Sequence, residues 1–239
     1  MTWNIHKGVG GVDRRYDLDR TMQVLDKQQP DIALLQEVAQ GIPRLRRDDQ
    51  VARLQALDGP FRHSYYHPEH RFRRGVYGNL ILSRFPLHDT DHLDLTIGSK
   101  KQRGLITAHA IVRMGSHQRT VALYNMHLGL AGSERARQLQ RFIESHPFRG
   151  MHRSTPLIVG GDLNDLWGTL GPRFLRPAGL SRAGQLANSF PSAWPLRPLD
   201  GLFFRGDLTL TAHGVCRDRL SRAASDHLPI WAEFQIAAV

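Results

Sequence analysis

Eight short apolar runs dominate the chain and narrow what it can fold into: residues 32–38, 76–83, 105–112, 120–128, 156–161, 199–204, 208–215 and 229–236. Each is of strand length and is bounded by Gly, Pro, Asp, Asn or Ser, so at least eight strands are expected. Helical periodicity is scarcer. Leu18, Met22 and Leu25 share a face in the segment from Asp17, which Pro30 ends. The segment from Ser133, with Ser133 as its expected N-cap, aligns Ala136, Leu139, Phe142 and Ile143. A weaker stretch carries Val51, Leu54 and Leu57. Many strands with few helices, in mixed order, suggest two sheets packed face to face with helices outside.

Over 239 residues there is no repeat, low-complexity tract or long Pro/Gly/Ser linker, so one domain spanning 1–239 is expected. An apolar fraction of 41% and a charged fraction of 23% argue against a disordered or fibrous chain. No stretch approaches the roughly 18 to 20 uncharged apolar residues of a spanning helix, and the opening MTWNIHKG has no signal-segment pattern. A cytoplasmic monomer is expected, provided that no segment precedes Met1, which stands only three residues ahead of Asn4. The single cysteine, Cys216, excludes an intrachain disulfide and fits a reducing compartment; nothing around it marks a nucleophile. The net charge of +10 biases the surface toward polyanions. Only Lys7, Lys27, Lys100 and Lys101 of the 32 basic residues are lysines, and an arginine-heavy balance also arises from coding bias. Charge therefore speaks to encounter, and chemistry must be sought elsewhere.

It is found where apolar runs meet loops. Asn4 interrupts the opening strand, Gln36-Glu37 closes the run from Ile32, and Asn125 and His127 lie in the run at 120–128. Asp162 and Asn164 follow Gly160-Gly161, and Asp226-His227 precede the last run. Any one of these reads most simply as a cap, a turn residue or a hydrogen-bonded core group. Five such places with complementary chemistry read differently. Buried carboxylates repel unless a cation or proton joins them, so Glu37, Asp162 and Asp226 in one pocket would make a hard-metal site. Oxygen ligands without cysteine favour Mg²⁺ or Mn²⁺ over zinc. With two histidines added, phosphoryl transfer is the matching chemistry: metal to neutralise charge, His/Asp to activate water, Asn to hold the transition-state oxygens.

Seven segments in order carry a resemblance. Asn4-Ile5-His6, Leu35-Gln36-Glu37-Val38, Gly78-Asn79-Leu80-Ile81-Leu82-Ser83-Arg84, Asn125-Met126-His127-Leu128, Gly161-Asp162-Leu163-Asn164, Leu199-Asp200-Gly201-Leu202-Phe203 and Ser225-Asp226-His227 resemble the motifs of the endonuclease/exonuclease/phosphatase (DNase I-like) superfamily. One such motif would be weak; seven in sequence across residues 3 to 236 are specific. The resemblance implies an α/β fold, a four-layer α/β sandwich of two packed mixed sheets flanked by helices, with the site at one mouth of the sheets. It also implies Mg²⁺-dependent (or Mn²⁺-dependent) cleavage of phosphoester bonds.

Carried over residue by residue, the resemblance makes Glu37 the main metal ligand with Asn4 beside it, and sets Asp226 to hold metal or water on the opposite side. Asp162 would orient or deprotonate the attacking water and Asn164 would stabilise the transition-state oxygens. His227 would contact the scissile phosphate or transfer a proton, oriented by Asp200. His127 would act on the phosphate or leaving group, and Arg103 would reach a substrate phosphate with its planar fork. Gly201-Leu202 departs from the residues that usually follow the Asp200 position, which puts that loop's geometry in question. Ser225 is assigned only a local hydrogen-bonding role.

The substrate follows less directly. Residues 61–75 interleave Arg62, Arg71, Arg73 and Arg74 with Phe61, Tyr65, Tyr66 and Phe72, which suits a polynucleotide; Arg71, Arg73 and Arg74 are the expected DNA contacts. An equally weighted reading is a solvated loop whose aromatics pack on a sheet edge. The expected activity is a metal-dependent endonuclease or exonuclease acting on DNA. The alternative is a phosphodiesterase of phospholipid or sphingomyelin headgroups working at an anionic membrane surface. It is suggested by NIHKG and by residues 189–204, which look similar to a small bacterial branch described as sphingomyelinase-like. There Trp194 would be a membrane contact, although a packed loop tryptophan is more usual. A non-catalytic binding module is disfavoured because every matched position is filled.

Overall fold

A computed structural model describes residues 1–57, 59–115 and 117–237. Twelve strands form two six-stranded sheets. In the first, the strands are β1 (Thr2–Asn4), β2 (Ile32–Gln40), β3 (His63–Arg71), β4 (Val76–Ser83), β11 (Leu208–Val215) and β12 (Ile230–Ile236). Their order is β11-β12-β1-β2-β4-β3. In the second, β5 (Leu87–Asp94), β6 (Gly104–Met114), β7 (His117–His127), β8 (Leu157–Asp162), β9 (Ser181–Arg182) and β10 (Asp200–Arg205) run in the order β5-β6-β7-β8-β10-β9. Each sheet is mixed: β1–β2 and β7–β8 are parallel, and the remaining neighbours are antiparallel.

Three apolar layers hold four structural layers together. Leu34 and Ile81 of the first sheet meet Ile106, Ala108, Leu123 and Leu202 of the second in the central core. Outside the first sheet, α1 (Leu18–Gln28) and α2 (Gln50–Gln55) bury Leu18, Val24, Leu25 and Leu54 against Trp3, Leu35 and Leu80. Outside the second, α3 (Gly132–Glu144) packs Leu139 and Phe142 on Tyr124, Leu157 and Val159. Two short helices, α4 (His146–Arg149) and α5 (Arg219–Ala224), complete the outer layers. The four-layer sandwich expected from the sequence is the fold. Among the described residues no helix is long and apolar enough to cross a membrane.

Two details differ from expectation. α3 begins at Gly132 with Ala131 at its N-cap and no side-chain cap, so Ser133 is inside the helix. The segment 61–75, read as a polynucleotide contact or as a solvated loop with aromatics packed on a sheet edge, is largely strand β3; Phe61 is buried, and Tyr66 donates its hydroxyl to the Val38 carbonyl at 3.2 Å. Its aromatics, Phe72 excepted, serve the sheet and are not available to stack on bases.

A pair of amides pins the sheets near one end. Gln36 Nε2 donates to Asn125 Oδ1 at 2.7 Å, and Asn125 Nδ2 donates to the carbonyls of Leu35 and Leu80 at 2.9 and 3.0 Å. Both side chains are fully buried, so these bonds satisfy the two amide nitrogens and Asn125 Oδ1, which would otherwise be costly.

Candidate active site

The mouth lies where β1, β2, β7 and β8 end and where β10 and β12 begin. Strand pairing places the two central acids: Asp200, the first residue of β10, is the cross-strand partner of Asp162, the last of β8. The expected doubt about Gly201-Leu202 therefore does not arise, because Asp200 is already in a ladder. Gly161 is required next to Asp162, since a Cβ there would lie 1.9 Å from the Met126 carbonyl oxygen. The turn that follows is fixed by Asp162 itself, whose Oδ1 accepts from the Asn164 backbone N–H at 2.9 Å while Asn164 sits at φ +49°. Asn164 Nδ2 donates to the Leu128 carbonyl at 2.8 Å, leaving one amide hydrogen free.

Around Asp162 Oδ2 the side chains are donors. Asn4 Nδ2 lies at 2.9 Å, His127 Nε2 at 3.4 Å and His227 Nε2 at 3.9 Å. Arg103 approaches His127 Nδ1 at 3.2 Å, and because arginine can only donate, that nitrogen is the acceptor and the His127 proton resides on Nε2. His227 Nδ1 pairs with Asp200 Oδ2 at 2.8 Å, and the same oxygen accepts the Ser189 hydroxyl.

These surroundings drive the two histidines apart. Burial, reinforced by the Arg103 charge, holds His127 well below the usual imidazole range, so it is neutral at neutral pH. Burial also opposes a charge on His227, but the Asp200 and Asp162 carboxylates outweigh it and push His227 up to about 10. Asp162 is driven up to about 6 by burial, with the His227 charge opposing and Asp200 adding to the rise. A neutral imidazole, an imidazolium and a carboxylate poised near neutrality share one buried cluster.

Glu37 reaches the mouth through a β-bulge. Between the pairs Leu35↔Leu80 and Val38↔Gly78, Gln36 and Glu37 face the single residue Asn79, and Glu37 adopts φ +58°. The bulge lets Gln36 point between the sheets while Glu37 points elsewhere, and a left-handed backbone at a glutamate marks local strain held by its surroundings. Lys7, also at φ +58°, donates its ammonium to Glu37 Oε2 and lies 5.0 Å from the Tyr77 ring centre. Burial alone would raise the Glu37 carboxyl; Lys7 reverses this and holds it below its ordinary value.

The donor set fits a hard cation at Glu37. An ammonium already meets that carboxylate, and Asp226 Oδ1 at the same mouth is buried without a hydrogen-bond partner, with His6 Nδ1 3.5 Å away. Among the described residues the carboxylate and imidazole ligand atoms that gather within 4.8 Å of one another are those of Asp162, Asp200 and His227, and not those of the expected set Glu37, Asp162 and Asp226. In that trio Asp200 Oδ2 is engaged by Ser189 and His227, which suits a proton relay, while Asp200 Oδ1 is buried without a hydrogen-bond partner.

The other expected site residues fall as follows. Asn4 is bonded to Asp162, and its Oδ1 accepts from the His6 N–H at 2.9 Å. Ser225 does more than cap its own loop: its hydroxyl donates to the Asn4 carbonyl at 2.7 Å, tying the start of the chain to the His227 loop. Arg71, Arg73 and Arg74 are exposed near the β3–β4 turn. Glu69, Lys7 and Ser189 had no sequence signal. Glu69 is the extra residue of a second bulge between Pro68 and His70, receives a hydrogen bond from Asn79 at 2.5 Å, and is driven well above the carboxylate range by burial despite Arg103. Glu69, Arg71 and Arg103 line a cavity of about 270 Å³ beside the cluster. A cavity of about 670 Å³ lies at the opposite end between the sheets, and none of the candidate site residues lines it. Cys216 is buried, and burial lifts its thiol to about 11.

A model of the Endonuclease/Exonuclease/phosphatase family matches residues 1–227. The chain belongs to that family. Members of the Endonuclease/Exonuclease/phosphatase family are hydrolases acting on phosphoesters. A relative from Escherichia coli K12, "Uncharacterized protein YbhP", is 27% identical over 252 residues, covering 99% of this chain and 95% of its own. The crystal structure of an endonuclease/exonuclease/phosphatase from Beutenbergia cavernae is 23% identical with a TM-score of 0.81, over 98% of this chain and 70% of that one. The Bacteroides thetaiotaomicron mannosyl-6-phosphatase Bt3783 is 17% identical with a TM-score of 0.74, over 98% of each chain. These structural likenesses show a shared fold.

Proposed function

We propose that the protein is a divalent-cation-assisted phosphodiesterase. The observation that carries this reading is the Asp162 carboxylate, brought up to about 6 and held among Asn4, His127 and His227 at the sheet mouth. Asp162 accepts the proton of the attacking water as the water oxygen bonds to phosphorus, a role suited to a base poised near the working pH. His227, cationic between Asp200 and Asp162, donates to a phosphoryl oxygen and offsets its charge. His127 and the free amide hydrogen of Asn164 supply two further donors to the same oxygens. Glu37, with Asn4 and Asp226 at the same mouth, would hold Mg²⁺ or Mn²⁺. When bound, that cation polarises the phosphoryl group and stabilises the departing oxygen.

The sequence points first to DNA, and the exposed Arg71, Arg73 and Arg74 fit any polyanion at this rim. A phospholipid headgroup is the second reading, favoured by Trp167 and Trp194, which are 68% and 73% exposed. Purified protein given plasmid DNA, single-stranded DNA, RNA and anionic vesicles, with Mg²⁺, Mn²⁺ or EDTA, separates them. Cation-dependent cleavage of one class, abolished in Asp162→Asn, is expected. Turnover that survives both EDTA and Asp162→Asn contradicts the assignment.

A further inference from the structure

Among the described residues, the most exposed large apolar side chains gather at one end of the sandwich. Val12 lies in the loop after β1, Leu130 in the loop after β7, Leu166 and Trp167 after β8, and Trp194 and Leu196 in the loop that leads into β10. The other two among the described residues, Phe72 and Leu186, are on the β3–β4 turn and in the β9–β10 loop. By strand direction all of these loops emerge at the mouth that holds Asp162 and His227.

Contacts join several of these tips. A Cβ on Gly168 would touch Leu186, which places Leu186 beside Trp167. Arg197 lies over the Trp167 ring at 4.3 Å, joining that tip to the 190–197 loop. Phe190 of this loop packs on the His227 ring at 5.0 Å, so the loop bearing Trp194 and Leu196 also walls the candidate site. Val12 and Ala193 line one surface cavity. On the other side of the mouth stands a basic wall. Arg44, Arg46 and Arg47 follow β2, and Arg71, Arg73 and Arg74 flank the β3–β4 turn. The two segments touch, since a Cβ on Gly75 would lie 2.7 Å from the Gln40 carbonyl oxygen. All six arginines are exposed, and none forms an ion pair with a described residue.

We infer that this rim docks the mouth onto the surface of an anionic phospholipid bilayer. Tryptophan and leucine at loop tips suit the boundary between headgroups and acyl chains, and arginines beside them suit headgroup phosphates. A polynucleotide fits the arginines but not the leucines, which have no π-face to stack on a base. The docking is interfacial, because no rim segment is a long apolar hairpin and no described helix could span. It deepens the phosphodiesterase reading by placing the site against headgroup phosphodiesters, and it rests on that reading only for what is delivered to the site.

Docking is tested without turnover. Sedimentation with vesicles of phosphatidylcholine alone, and of phosphatidylcholine with phosphatidylglycerol, is measured for wild type, Asp162→Asn, Trp167→Ser/Trp194→Ser and Arg73→Glu/Arg74→Glu. Wild type and Asp162→Asn should bind the anionic vesicles alike and at least about tenfold more tightly than the neutral ones. Their tryptophan fluorescence should shift to the blue. The tryptophan pair should lose at least about tenfold in vesicle affinity while keeping the wild-type melting temperature, and the arginine pair should lose the preference for anionic lipid. Absence of vesicle binding, or a tryptophan variant that binds vesicles like wild type, overturns the inference. So does a tryptophan variant that loses duplex DNA binding alone, which would assign the rim to nucleic acid. If vesicles bind but no phosphodiester is cleaved, docking stands and the phosphodiesterase reading fails.

Discussion

His227 bridges two carboxylates, with Nδ1 2.8 Å from Asp200 Oδ2 and Nε2 3.9 Å from Asp162 Oδ2. Both ring nitrogens therefore face acceptors, and the imidazolium is the form that the cluster favours. The pH profile of kcat/KM follows from it. Asp162 must be ionised to take a proton, so activity should fall on the acid side near pH 6, and it should hold on the alkaline side until His227 loses its proton near pH 10. Asp200→Asn removes the larger of the two carboxylate effects on His227 and should move the alkaline limb toward neutrality. An alkaline limb unmoved by Asp200→Asn would show that His227 does not set it.

The same groups shape stability. His227 binds its proton more tightly when folded, so its contribution is full below its ordinary value of 6.5 and drains away as pH rises toward about 10. Asp162 also binds its proton more tightly when folded, so stability falls as pH rises from 3.8 through about 6. Both slopes run downward with pH. Melting temperatures of wild type and His227→Gln should accordingly converge between pH 7 and 10, and a gap constant across that range would contradict the pairing.

The amide pin between the sheets should be worth more than an apolar substitute. Asn125→Leu leaves the Leu35 and Leu80 carbonyls short of a donor in a dry interior, while Gln36 Nε2 keeps Thr2 Oγ1 and the Leu34 carbonyl. A loss of about 3 kcal/mol in urea unfolding is expected, from about 1 to 3 kcal/mol for each buried group left unpaired. A neutral result would mean that the sheets need no polar register there.

Gly161→Ala should cost a comparable amount. The added methyl would stand 1.9 Å from the Met126 carbonyl, which is backbone and cannot swing aside. Expected is a drop on the order of 3 kcal/mol together with reduced turnover, because Asp162 is the next residue. Wild-type stability in this variant would contradict the close approach.

At Glu37, the Lys7 ammonium and a divalent cation compete for one carboxylate. Lys7→Met should raise Mn²⁺ affinity, read by calorimetry or electron paramagnetic resonance, by about tenfold, or ~1.4 kcal/mol. An unchanged affinity would place the cation away from Glu37.

Much of this was readable in the sequence because hydrophobic runs report burial. The eight apolar runs became eight of the twelve strands, and the strand termini bring Asp200 to His227, the pairing that the family resemblance implied, with Asp162 across the ladder from Asp200. β5 was silent for a physical reason. It is an edge strand exposed along LHDTDHLD, so no alternating pattern marks it. β3 was disguised by histidines, arginines and Pro68. Both bulges were invisible, since nothing in Gln36-Glu37 or in Glu69 announces an extra residue in the ladder. The Lys7–Glu37 contact joins residues from separate elements, and only the folded geometry shows that an ammonium occupies the carboxylate expected to hold a metal.

The most direct test of the central claim is turnover of bis(p-nitrophenyl) phosphate beside p-nitrophenyl phosphate, by wild type and Asp162→Asn, with Mn²⁺ and then with EDTA. Diester cleavage should depend on the cation, exceed monoester cleavage, and fall by about 10² to 10⁴ in Asp162→Asn. Monoester turnover without diester turnover, or diester cleavage that Asp162→Asn leaves intact, would contradict a phosphodiesterase built around Asp162.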